Sequence, residues 1–279
     1  MNENKQDYTY IAAFLTLSCN LKCSYCINHS GMFKSRTHLK TKEWVVAFSK
    51  LQTRNDLPIT LQGGEPTLYN GFYELMQSLP STTKLDLLTN AQFNPQKFVQ
   101  SVPKYLFDRP APYAPIRISY HQETMQPYET IHKAQILQSA GFRVGLFSVR
   151  VPEYQEHYDW FAHECKLKGL DFRFKEYLSI NSGTFKYPDA VCQEETQTVM
   201  CRTSELLIAP DGNIHRCHSD LYAGINPIGH ILDPHLPPNK TFLKCDRFGA
   251  CNFCDVKIKN DRFQVMGATS VEITGLDPA

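Results

Sequence analysis

The chain has almost no net charge: 29 Lys and Arg against 28 Asp and Glu leave +1. It therefore lacks the one-signed field that nucleic acid or an anionic membrane would attract, and neither is an expected partner. A long apolar run is also missing. After the polar start "MNENKQDYTY", the run "IAAFLTL" covers seven residues. That is too short to span a bilayer, and it has neither the basic flank nor the cleavage site of a signal peptide. A cytoplasmic location is expected. No internal repeat or low-complexity tract interrupts the sequence.

Cysteine, by contrast, is plentiful, with ten in 279 residues. Thiols stay reduced in the cytoplasm, so this number points to metal binding or redox chemistry rather than disulfides. The apolar share, 42%, is ordinary for a globular protein, and the length suits one large domain, alone or with a small appendage.

Short runs of branched and aromatic residues alternate with helical patterns. Strands are expected at 9–17, 57–62, 84–89, 115–120, 142–149 and 171–177, apolar enough to be buried on both faces as parallel strands are. Between them, Thr41 can cap a helix whose stripe is Trp44, Val45, Ala47, Phe48 and Leu51. Pro127 suits a first helical turn and Gly141 a stop. Tyr154, His157, Tyr158, Phe161, Ala162 and Cys165 form one face of a helix ended by Gly169. The expected fold class is α/β, a partial (β/α)6 TIM-like barrel over 1–180. Residues 181–279 hold a linker, a small cysteine-rich module and a tail.

Chemistry in such sheets gathers at the carboxyl ends of the strands. Here those ends carry Cys19, Cys23 and Cys26, then "GGEPT" (63–67), Thr89 and Asn90, Arg117, Ser119, Tyr120 and His121, Arg150, and Lys175 with Glu176. "SCNLKCSYC" (18–26) spaces three thiols as C-x3-C-x2-C. Zinc with His29 as fourth ligand is one reading. A [4Fe–4S] cluster held by three thiolates, with one iron left open, is the other.

The three cysteines with Tyr25 before the last, "GGEP" after the second strand and the six βα units resemble the radical S-adenosylmethionine superfamily over about the first 180 residues. The resemblance implies that S-adenosylmethionine chelates the open iron and is cleaved by one electron to a 5′-deoxyadenosyl radical, which abstracts a hydrogen atom from substrate. It also implies that Gly63, Gly64 and Glu65 hold the methionine amino group. Asn90 and Ser119 would bond the ribose or carboxylate, and the backbone at Tyr25 would meet the adenine. An external one-electron reductant, a flavodoxin or ferredoxin, is implied.

Farther on come Cys201, Cys217, Cys245, Cys251 and Cys254. Cys201 to Cys217 reads C-x10-G-x4-C, with Asp211-Gly212 a natural hairpin turn. A zinc ribbon is one reading. Beside a radical core the spacing resembles the SPASM and shorter Twitch modules, which carry auxiliary iron–sulfur clusters. Lacking the full two-cluster run, the module resembles Twitch, with Cys201, Cys217, Cys251 and Cys254 as preferred ligands and Cys245 as alternate. Cys165 is expected in the core, Cys192 and Cys245 are candidate hydrogen donors, and His215 and His218 are expected as supporting groups around Cys217.

The leading functional expectation is dehydrogenation of a small carbohydrate-like substrate, a sugar or cyclitol, with the auxiliary cluster accepting an electron. Arg150, His121 and Glu176 would bind hydroxyls or take the proton, although Arg150 and Glu176 can also simply pair. The alternatives are a peptide maturase and a radical epimerase using a Cys hydrogen donor. With Cys19 so near the start, no amino-terminal leader-binding domain is expected, although a leader could bind elsewhere or on a separate protein. A GTP cyclase of the molybdopterin type ranks last, because the chain ends "TGLDPA" rather than Gly-Gly.

Overall fold

The computed structural model describes residues 8–26, 37–51, 57–175, 177, 195–237, 241–249 and 271–275. The chain divides into two compact units. One comprises Leu15–Cys23 and Leu39–Tyr177; the other comprises the described residues within Met1–Phe14, Ser24–His38 and Leu178–Ala279.

The first unit alternates strand and helix. After β1 (Tyr10–Thr16) come α1 (Thr41–Lys50), β2 (Ile59–Gly63), α2 (Phe72–Ser78), β3 (Leu85–Thr89) and α3 (Pro95–Ser101). Then follow β4 (Ile116–Ser119), α4 (Pro127–Ser139), β5 (Val144–Val149), α5 (Gln155–Leu167) and β6 (Asp171–Lys175). Strands β2 to β6 pair in chain order, all parallel, with Ile59 opposite Leu85, Leu87 opposite Ile116, Ile118 opposite Leu146 and Phe147 opposite Arg173. The buried strand residues Ile59, Leu61, Leu85, Leu87, Ile116, Ile118 and Leu146 carry this core.

The helices follow from their sequences. Pro95 and Pro127 open α3 and α4, where a missing N–H costs nothing. Gly141 and Gly169 follow α4 and α5 with φ of 87° and 67°, the left-handed region that glycine enters freely. Trp44, Ala47 and Phe48 face inward from α1, and Tyr158, Phe161 and Cys165 from α5. One expectation is corrected. Lys40, not Thr41, precedes the first turn of α1, and its backbone N–H donates to Glu43 Oε2 at 2.6 Å. Thr41 instead donates its hydroxyl to Glu74 Oε2 on α2 at 3.0 Å, trading a cap for a helix–helix bond.

In the second unit the amino-terminal part of β1 pairs in parallel with β8 (Glu205–Ile208), Tyr10 opposite Glu205 through Ala13 opposite Ile208. Strands β8 and β9 (Asn213–His215) form an antiparallel hairpin, and β10 (Pro227–His230) joins β9 on its other side. Gly212, at φ 85°, turns that hairpin where the Asp-Gly pair was expected to. A separate three-stranded antiparallel sheet has β7 (Gln197–Thr203) between β11 (Leu243–Phe248) and β12 (Val271–Thr274). The short helix α6 (His218–Ala223) ends at Gly224, φ 69°. The architecture is thus alternating β and α with a mixed sheet and a smaller carboxyl-terminal part. Among the described residues no helix is long and apolar enough to cross a membrane.

Candidate functional site

Because β2 to β6 are parallel, their carboxyl ends lie along one edge, and two loops are fastened there. Past the end of β1, Ser18 donates its N–H to Thr16 Oγ1 at 3.1 Å. Gly64 N–H bonds the Thr16 carbonyl at 3.0 Å and Glu65 N–H bonds the Ser18 carbonyl at 2.8 Å. The "GG" of the second loop follows from this contact. Gly63 sits at φ 131°, and a Cβ on Gly64 would lie 2.1 Å from the Ser18 carbonyl oxygen. Only glycine allows so close a backbone approach.

Glu65 is 1% exposed. Its Oε1 accepts from Thr67 Oγ1 at 2.6 Å, Thr67 N–H at 3.2 Å and Thr89 Oγ1 at 2.7 Å. Its Oε2 accepts from Asn90 N–H at 2.7 Å. Burial pushes this carboxyl up, and the four donors pull it back. Asn90 extends the network: its side-chain amide donates to Asn20 Oδ1 at 2.8 Å and lies 3.7 Å from Cys19 Sγ. Cys19 Sγ also accepts from Leu21 N–H at 3.4 Å. Cys23 is buried, its Sγ 3.8 Å from Thr124 Oγ1. One hydrogen-bonded chain therefore runs from the first thiol through Asn90 to the glycine loop. Asn20 and Thr67 were missed in the sequence, though each adjoins a motif residue.

Cys26 and Tyr25 belong to the second unit, Cys26 half-buried and Tyr25 buried. Ser119 ends β4, half-buried, one residue past the Thr89–Ile118 register pair. His121 is held near 4, below its ordinary range, by burial and then by Lys175, with Glu123 opposing, so it is uncharged at neutral pH. Arg150 lies on the surface with its guanidinium over the Phe174 ring at 4.3 Å, and Lys175 Nζ is 5.7 Å from the Phe147 ring centre. Glu176, Cys192, Cys251, Cys254 and His29 lie outside the described residues. Arg117 leaves the strand-end ring. Its Nη2 is 2.9 Å from Asp86 Oδ2, while Arg109 holds Asp86 Oδ1 at 2.7 Å, forming a buried structural triad.

The second thiol group draws on three elements of the second unit. Cys201 is on β7, Cys245 on β11, and Cys217 immediately precedes α6. The three line one small cavity with Arg216, Ser219 and Arg247. Cys201 and Cys245 share a hydrogen bond that raises the Cys201 thiol and lowers that of Cys245. Cys217 Sγ accepts from Asp220 N–H at 3.4 Å. Cys245, the alternate in the sequence reading, thus stands beside Cys201 and Cys217. Among the described residues no group of three His, Cys, Asp or Glu is placed for a single metal ion. The seven described cysteines are free thiols, and Cys165 lies in the core, burial pushing it up to about 12. His215 Nδ1 is 2.9 Å from the Ile225 carbonyl and His218 Nδ1 is 3.9 Å from Glu205 Oε2, so both have partners other than the thiols.

Both donor sets fit iron–sulfur groups. The first has Cys19, whose sulfur meets two N–H donors, and the buried thiol of Cys23, beside a loop that glycine keeps open to close approach. The second has thiols from three elements walled by cations. Sulfur ligands with such hydrogen-bond and charge partners suit a cluster.

A family model described as a 4Fe-4S single cluster domain matches residues 10–98. The chain is 40% identical over 62 residues to the sporulation killing factor maturation protein SkfB of Bacillus subtilis, covering 22% of this chain and 15% of that protein. It is 24% identical over 195 residues to a GTP 3′,8-cyclase of Listeria monocytogenes, covering 63% of this chain and 56% of that protein. The chain therefore spans little more than half, or less, of these curated relatives. Among solved structures, Streptococcus suis SuiB bound to precursor peptide SuiA is similar at TM-score 0.59 and 16% identity, over 83% of this chain and 64% of that one. Native anSMEcpe with bound AdoMet and Cp18Cys peptide is similar at TM-score 0.56 and 15% identity, over 81% and 78%. At these identities the likeness is one of fold.

The carbohydrate-like substrate is corrected by these comparisons, since both solved chains of like fold hold peptides. The physical reason for the misreading is plain. Arg, His and Ser at strand ends bond the amides of a peptide as readily as the hydroxyls of a sugar, so their polarity does not separate the two.

Proposed function

From its membership of the radical S-adenosylmethionine superfamily, with a SPASM/Twitch-type carboxyl-terminal module, we infer that the chain is an oxidoreductase that modifies a peptide. The observation that carries the radical reading is the Cys19–Asn90–Glu65 network, which ties the thiol loop to the glycine loop. Peptide as substrate class is supported by the peptides in the solved chains of like fold.

In this reading residues 1–180 form a partial (β/α)6 barrel and 181–279 a Twitch-like module. Cys19, Cys23 and Cys26 hold a [4Fe–4S] cluster, and the backbone of Gly63 and Gly64 receives the cofactor's amino group. Glu65, its carboxylate engaged by four donors, fixes that loop. Asn90, Ser119 and the backbone at Tyr25 complete the cofactor's contacts. Bound there, S-adenosylmethionine would supply the radical chemistry needed to remove hydrogen from an unactivated C–H bond. The protein's own share is orientation and exclusion of water. Uncharged His121, and Arg150 on its Phe174 platform, bind peptide carbonyls, with Glu176 nearby in sequence. Cys201, Cys217 and Cys245, with Cys251 and Cys254, supply the ligands of an auxiliary cluster that takes up an electron.

The test is anaerobic incubation of reconstituted protein with S-adenosylmethionine, a flavodoxin reductant and synthetic peptides translated from short reading frames flanking its gene. Faster 5′-deoxyadenosine release together with loss of hydrogen from one peptide is expected. Release unaffected by every peptide would refute the substrate class. The 195-residue likeness to the Listeria cyclase favours a nucleotide as the second reading, and GTP in place of peptide decides between them.

A further inference from the structure

Arg216 occupies an unusual place for a basic residue. Its side chain is 10% exposed. It lines the cavity shared by Cys201, Cys217 and Cys245, and its charge acts on all three thiols. It is also part of the wall of a second cavity of about 260 Å³, with Tyr8, Glu205, Ile214, Ile228 and Leu243. The guanidinium is held from two sides. Nη1 donates to the Lys244 carbonyl on β11 at 2.8 Å, and Nη2 is 3.6 Å from Asp220 Oδ2 on α6.

Asp220 does not belong to Arg216 alone. Its Oδ1 is bonded by Arg247 Nη2, and Arg247 Nη1 donates to Ser219 Oγ at 2.9 Å. Within this described cluster one buried carboxylate therefore answers two guanidinium groups. The remaining cation in the wall, Arg202, is paired with Glu272 at 2.5 Å. The Arg216 charge beside the three thiols is fixed in place, because arginine does not lose its proton.

We propose that Arg216 is a positioning residue that sets the reduction potential of the auxiliary cluster, with Asp220 as its counterweight. The inference rests on the cluster reading of these cysteines given above. Reduction adds one electron, hence one negative charge, to the cluster and its thiolates. A fixed positive charge in a partly dry wall favours that reduced form, and net charge around a cluster is among the main determinants of its potential. Arg216 thereby makes the auxiliary site a better electron acceptor, which suits a site that must take an electron from a one-electron-oxidisable substrate. The two variants carry opposite signs: Arg216→Gln makes the auxiliary cluster harder to reduce, and Asp220→Asn makes it easier.

The experiment is a redox titration of anaerobically reconstituted full-length protein followed by electron paramagnetic resonance, with iron counted on the same samples. For Arg216→Gln a downward shift of about 59 mV is expected, a tenfold change in a one-electron equilibrium. Asp220→Asn should move upward, and Arg216→Lys, which keeps the charge, should stay near the parent value. The amino-terminal cluster is the internal reference and should not move in any of the three. Unshifted auxiliary potentials in fully loaded variants would overturn the inference while leaving the two-cluster reading intact. Loss of the cluster from Arg216→Lys as well as Arg216→Gln would also overturn it, making Arg216 a structural support. A parent protein with iron for one cluster would instead overturn the reading on which it rests.

Discussion

Asn90 donates its backbone N–H to Glu65 Oε2 at 2.7 Å while its side-chain amide reaches Asn20 and the sulfur of Cys19. The end of β3 is thus the clamp between the thiol loop and the glycine loop. A carboxylate suits the centre of this clamp because every neighbour is a donor. Glu65→Gln turns one acceptor into a donor facing donors. It is expected to cost about 1–3 kcal/mol of stability in the metal-free protein, read by urea unfolding, and to reduce S-adenosylmethionine cleavage at least tenfold. Unchanged stability would show that the clamp carries no strain-bearing contacts.

Gly64→Ala tests the loop contact itself. With a Cβ built 2.1 Å from the Ser18 carbonyl oxygen, the two loops must separate. A loss of about 2 kcal/mol or more is expected, with cofactor binding by calorimetry abolished.

The Asp86 triad is scaffold, not site. Arg109 and Arg117 both lean on one carboxylate that is 1% exposed. Asp86→Ala leaves two guanidinium groups partly buried without it, for an expected loss of about 3–5 kcal/mol. Thermal unfolding measures this, and any folded fraction should keep its affinity for S-adenosylmethionine.

His121 gives stability a pH dependence. Its folded value near 4 lies below 6.5, so between these the unfolded chain binds a proton that the folded chain refuses. The stability is fully present above about pH 6.5 and declines as pH falls toward 4. The ring is not fully sealed from solvent, so a discounted effect on the order of 1–2 kcal/mol is expected. Urea unfolding across this range, compared with His121→Gln, measures it; parallel curves for the two proteins would contradict the assignment.

Much of this was readable in the chain. All six parallel strands fall within about two residues of their expected ends, because each is a compact run of branched and aromatic residues bounded by polar ones. Burial on both faces was wrongly expected of two: β6, at the sheet edge, has no buried residue, and β4 is buried only at alternate positions. Gly63 and Gly64 were readable as a close-approach loop. The pairing of Tyr10–Ala13 with Glu205–Ile208 was not, since no local periodicity records a partner so distant in sequence. Arg117 misled because alternation places a residue on a strand but not its ionic partner, which here is Asp86. Arg216 was overlooked although it adjoins Cys217, because a basic residue beside a thiol looks like surface until α6 and β11 close over it.

The two thiol groups are separable. Cys23→Ala should abolish S-adenosylmethionine cleavage, whereas Cys201→Ala should retain it but stop net peptide modification. Product analysis by mass spectrometry distinguishes these outcomes, and equal loss of both would make the second group structural.

The most direct test is iron and sulfide analysis of protein prepared without air, joined to electron paramagnetic resonance with and without S-adenosylmethionine. About eight irons per chain, with one reduced-cluster signal altered by the cofactor, are expected. Zinc in place of iron, or cluster signals indifferent to the cofactor, would contradict an open-cornered cluster at Cys19, Cys23 and Cys26.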